Sequence, residues 1–398
     1  MMLFGTRFRT GLASGGNASK RLACLVVGAA LPASLAAQVP PALLDADVAQ
    51  QVQRLMAEHG IPGVSVAVVR NYQLAQVQTF GVADNDTRQP VTDSTLFQVA
   101  SMSKPVTSVG LMRLVQAGRL ELDAPVNDAL KTWHIPENRH NRGRAITLRQ
   151  LLSHTAGING GGIMGLWGGS AGYYPTRYLP TELDILTKGR GRFWYPKVGS
   201  VRPPGADWRY SGAGYVVAQL LLAETVRRPF AWAMDSLVFR PLGMQRSTFE
   251  QQLTARQQQL AATGHRAGGG TVRGKRKLYP DMAAAGLFTT PTDLARLLIE
   301  LQLAYLGRSE RLLTQQTART MFSKVRTPTG KQWALGWNFY DGPDGQPNAW
   351  FHNGSVRGMR SYMLLYPDKG FALVIVTNSN KGKELINPVR QQLMKRYM

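Results

Sequence analysis

Thiols are almost missing from this sequence. The one cysteine, Cys24, lies in an N-terminal segment that reads as removable, so the remaining chain would carry none. That count excludes thiol catalysis, cysteine-based zinc sites and structural disulfides from the processed protein. Acidic residues are also scarce, 24 against 47 lysines and arginines, for a net charge of +23. Long apolar runs are absent as well: beyond the N-terminus no stretch reaches the roughly 18 residues that a membrane span needs. Histidines number six. His59, His134, His140 and His265 show no ligand spacing such as His-Glu-x-x-His, so neither a metal nor another cofactor is expected. Residues 160–169 are rich in glycine but lack the Lys and Ser/Thr of a phosphate loop.

What is present is the composition of a folded protein. Of 398 residues, 44% are apolar and 18% charged, which excludes a disordered chain and allows one large core or two packed lobes. Residues 1–37 read as an export signal. Arg7, Arg9, Lys20 and Arg21 precede an apolar run over residues 22–35, and Ser34, Ala36 and Ala37 offer a cleavage site. Lys20 and Arg21 stand where a lipoprotein signal needs apolar residues, so no lipid anchor is expected at Cys24. The chain from residue 38 onward is expected to be periplasmic or secreted. Its basic residues are dispersed, with no aromatic-interleaved patch, so nucleic acid is not an expected partner. Attraction to an anionic cell-envelope surface is compatible with this charge; so is a plain solvated surface.

Val48, Val52, Leu55 and Met56 mark an amphipathic helix over about residues 45–59, ended by Gly60 and Pro62. Residues 64–70 and 74–82 read as a hairpin around Asn71-Tyr72. A helix is expected over residues 101–117, stopped by Gly118, with Pro105 tolerated in its first turn. The middle reads as helices at 148–154, 213–225 and 230–238 between long loops. Thr290-Pro291 opens a strong helix over 291–306. Strands then follow at 335–340, 349–352, 360–366 and 371–377, with a last helix at about 385–396. Strands at both ends and helices between predict an α/β (α+β) fold in a single domain over residues 38–398. Its antiparallel sheet is built from both chain ends (about 45–117 and 286–398) with flanking helices, and a mainly helical lobe (about 118–285) is inserted. A cleft between the two is a common place for a site.

Ser101-Met102-Ser103-Lys104 stands at the start of an apolar helix. Tyr210-Ser211-Gly212 follows a Pro204-Gly205 turn, and His352-Asn353-Gly354 lies in a C-terminal strand. Alone, the first tetrad reads as an ordinary N-cap; the three segments in this order point to a serine hydrolase that activates its nucleophile with lysine and tyrosine. Ser101 and Lys104, three apart, share a helical face, so the amine can reach the hydroxyl. The helix N-terminus favours an alkoxide at Ser101 and disfavours a charged Lys104, which suits a lysine base. Ser103 lies off that face and is rejected as nucleophile. Tyr210 can relay the proton to a leaving group if neighbouring cations depress its pKa. Gly354 leaves room for a substrate backbone, and the amide of Ser355 could join that of Ser101 as an oxyanion hole. His154 ends a short helix and reads as structural.

On these motifs the chain resembles the serine β-lactamase-like family of class C β-lactamases, D-Ala-D-Ala carboxypeptidases and related esterases, over about residues 45–395. Leu151 to Ile158, Pro204-Gly205, Pro241-Leu242-Gly243-Met244, Ala285-Gly286-Leu287 and Leu335-Gly336-Trp337 are similar to family landmarks. The resemblance implies a β-lactamase/transpeptidase-like fold, nucleophile Ser101, general base Lys104 and proton relay Tyr210. His352 to Gly354 would stand where many members have Lys-Thr-Gly and others His-x-Gly.

One departure from the family pattern bears on substrate. Gly212 replaces the usual Asn of Tyr-x-Asn, whose side chain in relatives holds the amide of a β-lactam or peptide. His352, unlike Lys, is mostly neutral at pH 7 unless its pKa is raised. Both changes weaken recognition of a carboxylate-bearing amide, and Trp167, Tyr173, Tyr174, Trp194 and Trp208 would suit an apolar acyl or alcohol group. A small-molecule ester is therefore the expected substrate. A D-amino-acid peptide or a β-lactam is the alternative, and a non-catalytic envelope-binding protein of the same fold is a third.

Overall fold

A computed structural model describes residues 46–160, 179–188 and 197–397. The chain opens with helix α1 (Ala46–His59), then β1 (Gly63–Arg70) and β2 (Gln73–Gly81), paired antiparallel. The turn between the two strands puts Asn71 and Tyr72 at φ 49° and 61°, the left-handed pair that a tight two-residue hairpin turn demands. Helix α2 (Ser103–Gln116) follows a single 3-10 turn over Ala100–Met102. In the middle lies α3 (Gly212–Val226), and then α4 (Pro291–Tyr305). The C-terminal part supplies β3 (Asn338–Asp341), β4 (Pro347–Val356), β5 (Met359–Tyr366), β6 (Phe371–Thr377) and α5 (Gly382–Tyr397).

These six strands form one antiparallel sheet in the order β2-β1-β6-β5-β4-β3. β6 lies against β1 with Val64 opposite Thr377 and Val69 opposite Ala372, so the chain's two ends meet at the centre of the sheet. Alternation then sorts the side chains. Val64, Val66 and Val68 of β1, with Phe371, Leu373 and Ile375 of β6, point to one face, where they pack with Val48 and Val52 of α1 and Leu385 and Val389 of α5. Ala67, Val69, Ala372, Val374 and Val376 point to the other face, into the core shared with α2, α3 and α4. Central strands buried on both faces read as continuous apolar runs, which is why residues 64–69 show no polar alternation.

The predicted architecture is the observed one, with shifted boundaries. β4 continues to Val356, so His352 and Gly354 lie inside a strand and not at its end. Ser101 sits in the 3-10 turn, and the α-helix proper begins at Ser103. The strand expected over 335–340 is only Asn338–Asp341, preceded by a short Gln332–Trp333 strand paired with Val325–Arg326. Helix Gln315–Phe322, capped by Thr314, carries no apolar stripe long enough to announce itself in the sequence.

Helix α2 is the element that positions the site. Eleven of its fourteen residues are buried, including the polar Ser103, Lys104, Thr107 and Ser108. A helix buried all round belongs to the interior, and its polar groups need partners. Ser108 Oγ lies 3.2 Å from the Tyr215 hydroxyl, and Thr107 Oγ1 donates to the Ala283 carbonyl at 3.3 Å.

Candidate active site

The turn that carries Ser101 is held from three sides. Ala100, just before it, has φ 51°, a left-handed conformation uncommon for a residue with a side chain and costing of order 1–3 kcal/mol. Ser103 Oγ donates to the Ala100 carbonyl at 2.6 Å and accepts from the Leu287 amide at 3.0 Å. Ser361 Oγ on β5 donates to the Val99 carbonyl at 2.9 Å. Ser103, excluded as nucleophile in the sequence, is thus one of the clamps on the turn.

Lys104 reaches from the first turn of α2 back to Ser101. Its Nζ lies 3.2 Å from Ser101 Oγ and 2.8 Å from the Ala284 carbonyl, and the side chain is buried. Burial pulls its pKa from 10.5 down to about 7, with the charge of Asp281 acting in the opposite sense. The ammonium side also faces rings: Nζ is 4.8 Å from the centroid of Tyr210 and 5.6 Å from that of Tyr215. Asp281 precedes, and Ala284 lies within, a short helical turn, Met282–Ala285, that α3 grips through Gln219. Gln219 Nε2 donates to the Pro280 carbonyl at 3.1 Å, and Gln219 Oε1 accepts from the Ala283 amide at 3.0 Å.

Tyr210 comes to the same point from just before α3, its hydroxyl close enough to Ser101 to feel it electrostatically. The pKa depression on which its relay role was conditioned is not found. Burial pushes the phenol well above its ordinary value, and Ser101 offsets only part of that. The phenol therefore stays protonated across the working range, and Lys104 is the group at this site poised to change charge near neutral pH. Behind Tyr210, Ser211 caps α3: its Oγ accepts from the Gly214 amide at 3.0 Å and donates to the Asn159 carbonyl at 2.7 Å. Gly212 is the first residue of α3, buried and without a left-handed φ.

β4 brings the third segment alongside. β3 pairs with it only as far as Phe351, opposite Asn338, so the outer edge of residues 352–356 has no strand partner among the described residues. Gly354 lies against the Val99–Ser101 turn. A Cβ there would come within 2.1 Å of the Val99 carbonyl oxygen and 2.3 Å of Ser361 Oγ, so only glycine allows the strand this close. Ser355 lies next along this open edge, opposite Arg360. His352 is buried, its Nδ1–H donating to the Asn353 carbonyl at 2.8 Å. Burial first, and then Lys104, drive its pKa down to about 3, so the ring is neutral and carries its free lone pair on Nε2.

Aromatic rings complete the described wall. Trp208 and Trp333 lie 5.3 Å apart, and Trp333 is 6.2 Å from Tyr210 and 6.0 Å from His352. Of the aromatic residues expected to line the cleft, Trp208 is there. Trp167, Tyr173, Tyr174 and Trp194 lie outside the described residues, as does most of the Gly-rich stretch at 160–169. Trp333, Asp281 and Ala284 were not singled out in the sequence, and Ser103 was considered there only as a nucleophile. The Ala285-Gly286-Leu287 landmark adjoins two of the contacts they make, and it was the available signal. Among the described residues no cluster of His, Cys, Asp and Glu could hold a metal ion.

Comparison with known proteins agrees with this geometry. The chain is 28% identical to a β-lactamase of Pseudomonas fluorescens, over 83% of this chain and 92% of that protein. It is 25% identical to Protein flp of Staphylococcus aureus, over 88% of this chain and 68% of that protein. A β-lactamase/D-alanine carboxypeptidase structure from Pseudomonas syringae superposes with a TM-score of 0.69 at 22% identity, covering 90% of this chain and all of that one. The sequence profile of the β-lactamase family matches residues 48–393, which take in every strand of the sheet and all three segments of the site. The chain belongs to the β-lactamase family and has its serine-hydrolase fold.

Proposed function

We propose that this protein is a serine hydrolase that cleaves carboxylic esters through an acyl-enzyme on Ser101. The observation that carries the reading is Lys104 Nζ, 3.2 Å from Ser101 Oγ and held near pKa 7 by burial. A neutral amine at that distance can take the hydroxyl proton as Oγ attacks the ester carbonyl carbon. The resulting oxyanion would be met by the backbone amides of Ser101 and Ser355, the second on the open edge of β4. As the tetrahedral intermediate collapses, the ester C–O bond breaks. The departing alkoxide takes the Tyr210 proton, and the Lys104 ammonium restores it. Water then repeats the sequence on the acyl carbonyl, releasing the acid and regenerating Ser101.

The preference for esters over carboxylate-bearing amides rests on two positions. Gly212 offers no side-chain amide to a substrate peptide group. His352, neutral in its pocket, offers no cation to a carboxylate. Trp208 and Trp333 supply apolar surface instead. A substrate panel tests this: wild-type protein should hydrolyse short-chain aryl esters far faster than a chromogenic cephalosporin or a D-Ala-D-Ala peptide. Comparable turnover of the cephalosporin would shift the assignment to a β-lactamase, and preferential cleavage of the peptide would shift it to a carboxypeptidase. No turnover, and no fluorophosphonate labelling, would leave a binding protein. We propose in addition that residues 1–37 direct export, so that the processed chain begins near Ala37 or Gln38 and has no cysteine. Intact-mass measurement of periplasmic or secreted protein checks this; a mass retaining those residues would contradict it.

A further inference from the structure

His154 encloses Tyr210 in a way the motif reading gave no reason to expect. Its backbone carbonyl accepts from the Arg209 amide at 2.8 Å, and its Nδ1 accepts from the Ser211 amide at 3.2 Å. The residues on both sides of Tyr210 are therefore tied to one histidine. Between those two bonds the imidazole lies against the phenol ring, with centroids 4.3 Å apart. His154 itself has φ 63°, a left-handed backbone that His, Asn and Asp tolerate better than most side chains. It is buried, and its Nε2 has no partner among the described residues. A buried imidazole with one unpartnered nitrogen is a costly way to fill space, and an apolar ring would fill it without that cost. Protonation would turn Nδ1 from acceptor to donor and break the bond to Ser211.

We propose that His154 is a positioning residue that fixes the Tyr210 phenol over Ser101 through its Nδ1 acceptor and its ring face. The proposal rests on the reading of Tyr210 as the proton donor to the leaving group. It follows that losing His154 should resemble losing the Tyr210 hydroxyl, and should be felt most by substrates whose leaving group needs a proton.

The test compares ethyl butyrate, whose alkoxide needs that proton, with p-nitrophenyl butyrate, whose phenolate does not. His154→Phe keeps a ring without the acceptor, His154→Gln keeps polarity but cannot place an acceptor at the Nδ1 position, and His154→Asn keeps an acceptor near it. His154→Phe and His154→Gln should lower kcat/KM, which reports acylation and not the deacylation common to both esters, by about a hundredfold on ethyl butyrate, the scale expected for a displaced catalytic group. The loss on p-nitrophenyl butyrate should be at least about tenfold smaller, as in Tyr210→Phe, because the Brønsted advantage of the acid vanishes for a good leaving group. His154→Asn should recover most of the loss. If His154→Phe does not fold, His154→Gln carries the comparison. Equal losses on both esters, or no recovery in His154→Asn, would overturn the positioning role and leave a structural one. Wild-type protein that fluorophosphonate does not label at Ser101 would instead overturn the functional reading beneath it.

Discussion

The two walls of the site each present a buried, neutral histidine, and they use it in opposite senses. On the helical wall His154 Nδ1 accepts an amide proton from Ser211, so its remaining proton is on Nε2. On the strand wall His352 Nδ1–H donates to the Asn353 carbonyl, so its Nε2 is a bare acceptor. The surroundings differ as well. The helical wall is tied down by local backbone bonds, a left-handed residue and a helix cap. The strand wall is a β edge, open among the described residues, kept close to the Val99–Ser101 turn by one glycine. One wall holds the proposed proton donor, Tyr210, still, and the other leaves a backbone edge unpaired among the described residues. Neither adds a fixed positive charge, so Lys104 stands as the group between them whose charge depends on pH near 7.

The largest way to break this arrangement is to remove the lysine. Lys104→Met should cost at least about a hundredfold in turnover, the low end for losing acid–base assistance. It should also stabilise the fold. A lysine held at about 7 against 10.5 when unfolded costs the native state up to about 5 kcal/mol. That penalty is complete below pH 7, where the buried amine must carry charge, and it vanishes as the pH approaches 10.5. Part of the gain is lost because Ala284 keeps an unpaired carbonyl, so a rise of a few degrees in Tm at pH 6–7 is expected, shrinking toward pH 10. Thermal unfolding across that range checks both the sign and the trend.

Next in size is the approach of the strand wall. Gly354→Ala should push β4 away from the Val99–Ser101 turn, because the new methyl would overlap the Val99 carbonyl. A displacement of about 1 Å can cost a hundredfold in rate, and acylation of Ser101 by fluorophosphonate should slow accordingly. Unchanged labelling would mean that the close approach is not part of the site. The smallest effect sharpens the substrate contrast. Gly212→Asn restores a side-chain amide at a helical position with no left-handed strain. One neutral hydrogen bond contributes about 0.5–1.5 kcal/mol, so relative turnover of the cephalosporin should rise at most about tenfold. Parallel progress curves on ester and cephalosporin measure the ratio.

Much of this could be read from residue patterns, and the reason is physical. The sheet was legible because apolar runs such as residues 371–377 have few other uses, and both chain ends carry them. Ser101, Lys104 and Tyr210 were legible because a three-residue helical spacing and a Pro-Gly turn impose short-range geometry. What sequence could not deliver was long-range. Ala284, which holds Lys104, is 180 residues away, and Leu287, which binds Ser103, is 184 away. The phenol's pKa was out of reach for the same reason: Lys104 does stand beside the ring, but burial, a property of the assembled core, dominates. The bonds of His154 could not be read from sequence because its partners, Arg209 and Ser211, follow it by 55 and 57 residues, through a segment of weak periodicity.

The central claim is that a neutral Lys104 activates Ser101. The most direct measurement is the rate of fluorophosphonate labelling as a function of pH, with the labelled peptide identified. The account predicts a single adduct on Ser101 and a second-order rate constant that rises as pH passes through about 7 and then levels, following the deprotonation of Lys104. A rate independent of pH between 5 and 9, or an adduct on Ser103, would contradict it.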